Sequence, residues 1–147
     1  MDMANTQLSD ATHILAYIAL NQDKSEIKSS SIAESINTSP SLIRRMMSKL
    51  KQAGLLNATK GAARPSLTKD PDKISLLDIY LAISPDNKLL NVDEKTNATC
   101  PVGSVIPDVL DHYYQEVQSS AEARMAKINL QELLDDVQVI QKKSQLI

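Results

Sequence analysis

At 147 residues the chain suits one globular domain, or a small domain with an extension, and can bury a modest core. Its formal net charge of −2 conceals an asymmetry: Arg44, Arg45, Lys49, Lys51, Lys60, Arg64 and Lys69 lie in an acid-free run from Ser35 to Lys69, whereas acids outnumber bases thirteen to five from Asp70 to Ile140. No stretch reaches the ~18 apolar residues of a membrane span, nothing at the N-terminus reads as a signal peptide, and Cys100 is the sole cysteine, so the expectation is a cytoplasmic protein with no intramolecular disulfide.

The first helix signal is Ala11, Ile14, Leu15 and Ile18, one apolar face with Ser9 or Asp10 as N-cap. A polar turn follows at Asn21–Ser25. Ser31-Ile32-Ala33-Glu34 reads as a capping box opening a short helix to about Ile36. Ser39-Pro40 opens the next helix, with Ser39 as N-cap and Pro40 at the first position, where a missing N–H costs nothing; Gly54 stops it. Leu55–Lys60 and Ser66–Thr68 read as two short strands around Gly61–Pro65. Ile74–Ile83 is predicted helical, Ser84–Thr99 a loop, Val105–Ile128 a long helix, and Asn129 caps a last helix with Leu130, Leu133, Leu134 and Val137 inward. Gln141–Ile147 reads as a frayed end.

Residues 30–50 carry the central signal. Two helices crossing steeply over a tight turn need a small residue in the first helix (Ala33), a turn residue tolerant of left-handed geometry (Asn37), and apolar closure (Ile32, Ile36, Ile43, Met46, Leu50). At about 100° per residue, Ile43, Met46, Met47 and Leu50 share one side of the second helix. Ser41, Arg45, Ser48 and Gln52 lie opposite, with Arg44 and Lys49 on the flanks. That acid-free face has the donors a major groove reads: Arg45 for guanine O6 and N7, Ser41 and Ser48 for bases or phosphates, and the helix start at Ser39 for phosphate. Lys60, at the end of the first strand, and Arg64, in the turn, belong to the wing. The basic run has no aromatic residue, and the chain has no Phe or Trp, so stacking on single strands is disfavoured against duplex DNA.

The helix-turn-helix running into Ala53-Gly54-Leu55-Leu56 and Lys60-Gly61, then Leu67-Thr68-Lys69-Asp70-Pro71, Ile74-Ser75-Leu76-Leu77-Asp78-Ile79-Tyr80 and Cys100-Pro101-Val102-Gly103, resembles the Rrf2 family of bacterial winged-helix regulators, in its branch without an iron–sulfur cluster. The resemblance implies a mainly α fold with a small β wing: a winged helix-turn-helix domain (1–83), a loop (84–103), and a dimerisation helix with a C-terminal helix (104–147). It also implies a homodimer on a pseudo-palindromic operator. The long helix agrees, because Ile106, Leu110, Tyr113, Val117 and Ala121 recur in steps of three and four. Two departures stand out. The wing reads Gly61-Ala62-Ala63-Arg64-Pro65 where the family commonly has a glycine pair, although Arg64 still suits a narrow minor groove. Cluster-binding members carry three cysteines before the long helix; this chain has Cys100 alone, so no metal or other cofactor is expected. A lone cysteine there is a redox switch in some members, and is otherwise a small apolar residue packed under the loop.

No phosphate loop, metal triad or nucleophile pairing suggests an enzyme. The reading is a sequence-specific regulator of transcription, a repressor, that binds double-stranded DNA and itself, with its effector unassigned. The rival is a winged-helix module that binds protein and not DNA; the acid-free run favours DNA.

Overall fold

The computed structural model describes residues 4–57, 64–84, 86 and 88–145. Its described elements in chain order are α1 (Ala4–Leu20), α2 (Ser29–Ile36), α3 (Pro40–Gln52), β1 (Leu56–Asn57), β2 (Ser66–Leu67), a 3-10 turn (Pro71–Lys73), α4 (Leu76–Ile83), α5 (Ile106–Met125) and α6 (Leu130–Gln145). The strands pair antiparallel, Leu56 with Leu67 and Asn57 with Ser66. This is a winged helix: mainly helical, with a small two-stranded sheet.

Local signals set the helix-turn-helix. Asn37 closes α2 in the left-handed region (φ 61°), and its backbone N–H and that of Thr38 return to the last turn of the helix. Ser39 Oγ accepts the Leu42 N–H at 3.3 Å with Pro40 at the first helical position, and Gly54 takes φ 80° just beyond α3.

The capping box expected at Ser31 does not form. Helix α2 starts earlier, after Lys28, which is extended and offers no side-chain cap. Its first turn is instead fixed by Ile27 and Ile32, both buried, one just before the N-cap and one on the fourth helical residue, a hydrophobic staple. A capping box does form at α4: Asp78 N–H donates to Ser75 Oγ (3.0 Å), and Ser75 N–H donates to Asp78 Oδ2 (2.9 Å). Helix α1 begins well ahead of Ser9, and α6 continues past Gln141 to Gln145.

One core joins the helices. Ala11, Ile14, Leu15 and Ile18 of α1 meet Ile32 and Ala33 of α2, Ile43, Met46 and Leu50 of α3, and Ile79 and Ile83 of α4. Leu130 and Leu134 of α6 complete it. The last segment of the expected division, 104–147, thus groups a helix that stands off with one that packs on α1. The expected long helix ends at Met125, slightly short of Ile128, because the chain turns there to pair with residues ahead of α4. Leu76 N–H donates to Ile128 O (2.7 Å) and Leu130 N–H to Ile74 O (2.8 Å), making a single bridge between Ser75 and Asn129. Asn129 then caps α6, its Oδ1 accepting the Glu132 N–H at 2.9 Å.

Candidate nucleic-acid interface

Burial sorts α3 into two faces. Ile43, Met46 and Leu50 are buried and Met47 packs beside them, while Ser41, Arg44, Arg45 and Ser48 are exposed and Lys49 is half-buried. With 1.5 Å of rise per residue, Ser41, Arg45 and Ser48 stack along one exposed stripe, within the reach of a helix laid in a major groove. Among the described residues Arg45 meets no hydrogen-bonding or ionic partner, so its fork of donors points to solvent unspent. Arg44 is steadied on the flank, where Nη1 donates to Ser29 Oγ at 3.5 Å. At the start of the helix Ser39 Oγ and Ser41 Oγ lie 3.2 Å apart beside backbone N–H groups that the helix leaves free. No acid interrupts this surface from Ser35 to Lys69.

The wing is anchored by a residue that no periodicity singles out. Gln22, just past α1, has its Nε2 donating to Ile18 O (2.8 Å) and Pro65 O (3.3 Å), and its own carbonyl accepts a hydrogen bond from the Arg64 guanidinium. Arg64 is exposed at the base of the second strand and turned toward α1. Lys60 lies outside the described residues. Only tertiary packing brings Gln22 to the wing; a polar residue in a turn gave no hint of it.

Helix α5 presents the other surface. None of its residues is buried. Tyr113 (57% exposed) and Val117 (49%) continue a line from Val105 and Val109, spaced one helical turn apart, with Ile106, Leu110 and Ala121 half-buried alongside. Gln118 ties this helix back: its Nε2 donates to the hydroxyl of the buried Tyr80 (3.1 Å), and its Oε1 accepts the Leu89 N–H (2.8 Å).

Cys100 sits half-buried just ahead of α5. Backbone N–H groups of Gly103 and then Val102 aimed at its sulfur hold the thiol below its usual pKa. The loop around it is tightly closed: Thr96 Oγ1 donates to Gly103 O (2.5 Å), and Asn97 Oδ1 accepts the Thr99 N–H (2.9 Å).

Comparison with known proteins agrees with this geometry. Residues 4–136 match the model of the family described as "Rrf2: Iron-dependent Transcriptional regulator". The chain is 39% identical over 133 residues to YwnA of Bacillus subtilis (strain 168), named for an HTH-type transcriptional regulator, covering 90% of this chain and 98% of YwnA. A crystal structure named as that of a DNA-binding protein superposes with a TM-score of 0.68 at 36% identity, covering 87% of this chain and 98% of that one. The structure of CymR (YrzC), the global cysteine regulator of B. subtilis, shares the fold at 18% identity, with a TM-score of 0.65 over 92% of this chain and 98% of CymR.

Iron in the family description finds no matching donors here. The chain has one cysteine, and among the described residues no three His, Cys, Asp or Glu side chains converge. Its own side chains do not fit an iron–sulfur cluster. Among the described residues no helix is long and apolar enough to cross a membrane.

Proposed function

The chain belongs to the Rrf2 family of transcriptional regulators, a DNA-binding family and not one of enzymes, and from that premise we propose that it grips a pseudo-palindromic operator as a homodimer. The observation that carries the reading is the exposed face of α3: a free Arg45 between Ser41 and Ser48, on a helix whose opposite face is buried, within a run that has no acid. Arg45 reads a base edge, and Ser39, Ser41, Arg44, Ser48, Lys49, Lys60 and Arg64 hold phosphates and the neighbouring minor groove. Helix α5 supplies the twofold contact through Ile106, Leu110, Tyr113, Val117 and Ala121, since an amphipathic helix with no buried residue leaves apolar surface that a second copy covers. Where the operator overlaps a promoter, occupancy represses.

Cys100 serves in this reading as a thiol switch. Its lowered pKa and its place at the foot of α5 support that role, because oxidation there adds bulk where the two subunits meet. The test is selection of a duplex from a random-sequence pool, followed by titration of that duplex with wild type, Arg45→Ala and Cys100→Ser, before and after peroxide. Loss of sequence preference in Arg45→Ala and peroxide sensitivity confined to wild type support the proposal. Retention of full preference by Arg45→Ala refutes the recognition face, and equal peroxide loss in both thiol forms refutes the switch.

A further inference from the structure

A groove of about 1040 Å³ runs between α1 and α6, at the upper end of the roughly 300–1,000 Å³ of small-molecule sites. Apolar side chains face one another across it: Leu8, Ala16 and Leu20 on one side, Leu133, Val137 and Ile140 on the other. Several polar groups of the lining are already satisfied. Thr12 Oγ1 donates to Leu8 O (2.8 Å), Asn21 Nδ2 donates to Tyr17 O (2.7 Å), and His13 Nε2 shares a hydrogen bond with Ser35 Oγ (2.8 Å). Of the described lining residues Asp136 is the one carboxylate, and it is exposed. Its neighbour Asp135 accepts from Gln131 Nε2 (2.9 Å), but among the described residues Asp136 has neither hydrogen bond nor ion pair. No lysine or arginine lines the groove; Lys24 stands outside the lining, with Nζ 6.0 Å from the Tyr17 ring centroid.

An apolar trough with one unneutralised carboxylate selects by charge. We infer that the groove between α1 and α6 is a binding site for a hydrophobic organic cation, its apolar body against Ala16, Val137 and Ile140 and its charge beside Asp136, and that this ligand is the effector of DNA binding. The second half rests on the function proposed above. The lever is structural: α1 packs on α3, whereas α6 follows α5 and is fastened to α4 at the Ser75–Asn129 bridge. A ligand seated between α1 and α6 moves the recognition helix relative to the dimer helix, and both half-sites must be met at once.

Tetraphenylphosphonium and tetraphenylborate, nearly equal in shape and opposite in charge, are the probes. Calorimetric titration of the full chain is expected to show that Asp136→Asn lowers phosphonium affinity about fivefold and raises borate affinity, as loss of one partly exposed charge pair predicts. Ala16→Trp fills the trough and lowers both. On a duplex selected by the protein, phosphonium is expected to shift wild-type affinity at least threefold and Asp136→Asn less. Unchanged phosphonium binding in Asp136→Asn overturns the site, as does conversion of a dimer to monomers by Ile140→Glu, which would make a second copy the occupant. Phosphonium binding without any change on DNA overturns the effector role. A protein that selects no duplex refutes the DNA reading instead, and the titrations still decide the groove.

Discussion

Ser75 and Asn129 face each other across an antiparallel bridge, so the residue that caps α4 and the residue that caps α6 are held side by side. Helix α6 is thereby an integral wall of the DNA-binding unit, with Leu130 fully buried and Leu134 nearly so. Leu130→Ala is expected to cost about 2–5 kcal/mol, as deletion of a buried leucine does. Denaturant unfolding should remain a single cooperative transition at a lower midpoint. A separate early transition for α6 would show that it is an appendage.

Base reading and phosphate holding separate in their salt dependence. Arg45→Ala is expected to cost about 1–3 kcal/mol on the selected site and to relax one base position, while Lys49→Ala weakens all duplexes alike and lowers the salt slope by about one. Fluorescence anisotropy at several salt concentrations distinguishes the two. A uniform loss in Arg45→Ala would move that side chain from base to backbone.

The turn between α2 and α3 was legible in the sequence because its signals are local: Asn37 for a left-handed backbone, Ser39 and Pro40 for a helix start, Gly54 for a stop. The start of α2 was misread for a physical reason. Ser31 and Glu34 have the spacing of a capping box, but burial of Ile27 with Ile32 fixes the helix start nearer the N-terminus. The break between α5 and α6 was legible from Asn129 as an N-cap, but its pairing with Ser75 was not, since the two lie far apart in sequence. Gln22 holds the wing through contacts that no pattern along the chain encodes.

Asn37 stores strain that glycine would relieve. Left-handed geometry costs a non-glycine residue roughly 1–2 kcal/mol, somewhat less for asparagine. Asn37→Gly is expected to leave stability within about 1 kcal/mol of wild type, because relief of strain is offset by added freedom of the unfolded chain. Asn37→Val should lower the melting temperature clearly and impair DNA binding with it. Equal melting of the two variants would mean that the turn has relaxed out of the left-handed region.

A charge placed on the open face of α5 tests assembly. Val117 is half-exposed in the single chain, so Val117→Glu should leave the fold and its melting of isolated chains intact. Analytical ultracentrifugation at micromolar concentration is expected to show wild-type dimers and Val117→Glu monomers, with operator affinity lost in step. Wild-type monomers at that concentration would sink the twofold arrangement.

The thiol of Cys100 has its pKa lowered first by the Gly103 N–H and then by that of Val102. A lowered pKa means more thiolate at any given pH below the usual cysteine range, so iodoacetamide alkylation should run faster at neutral pH than for a free cysteine. Its pH profile should shift toward acid. A Cβ on Gly103 would stand 2.7 Å from Asn97 O, so Gly103→Ala must displace this backbone. The profile of that variant is expected to move back toward higher pH. An unchanged profile would mean that the N–H groups are not what acidifies the sulfur.

The place of Leu130 and Leu134 in the core that α1 shares also fixes when the protein can come into being during synthesis. The ribosome delivers α1, α2 and α3 early, but the apolar surface they share stays open until α6 has left the exit tunnel. Every helix needed to read DNA is therefore made before the one that closes their common core, and α5 is made in between. A nascent chain cannot complete its DNA-reading half without having first produced α5. Chains cut short before Leu130 lack that cover, and an uncovered apolar core is what proteases and chaperones engage.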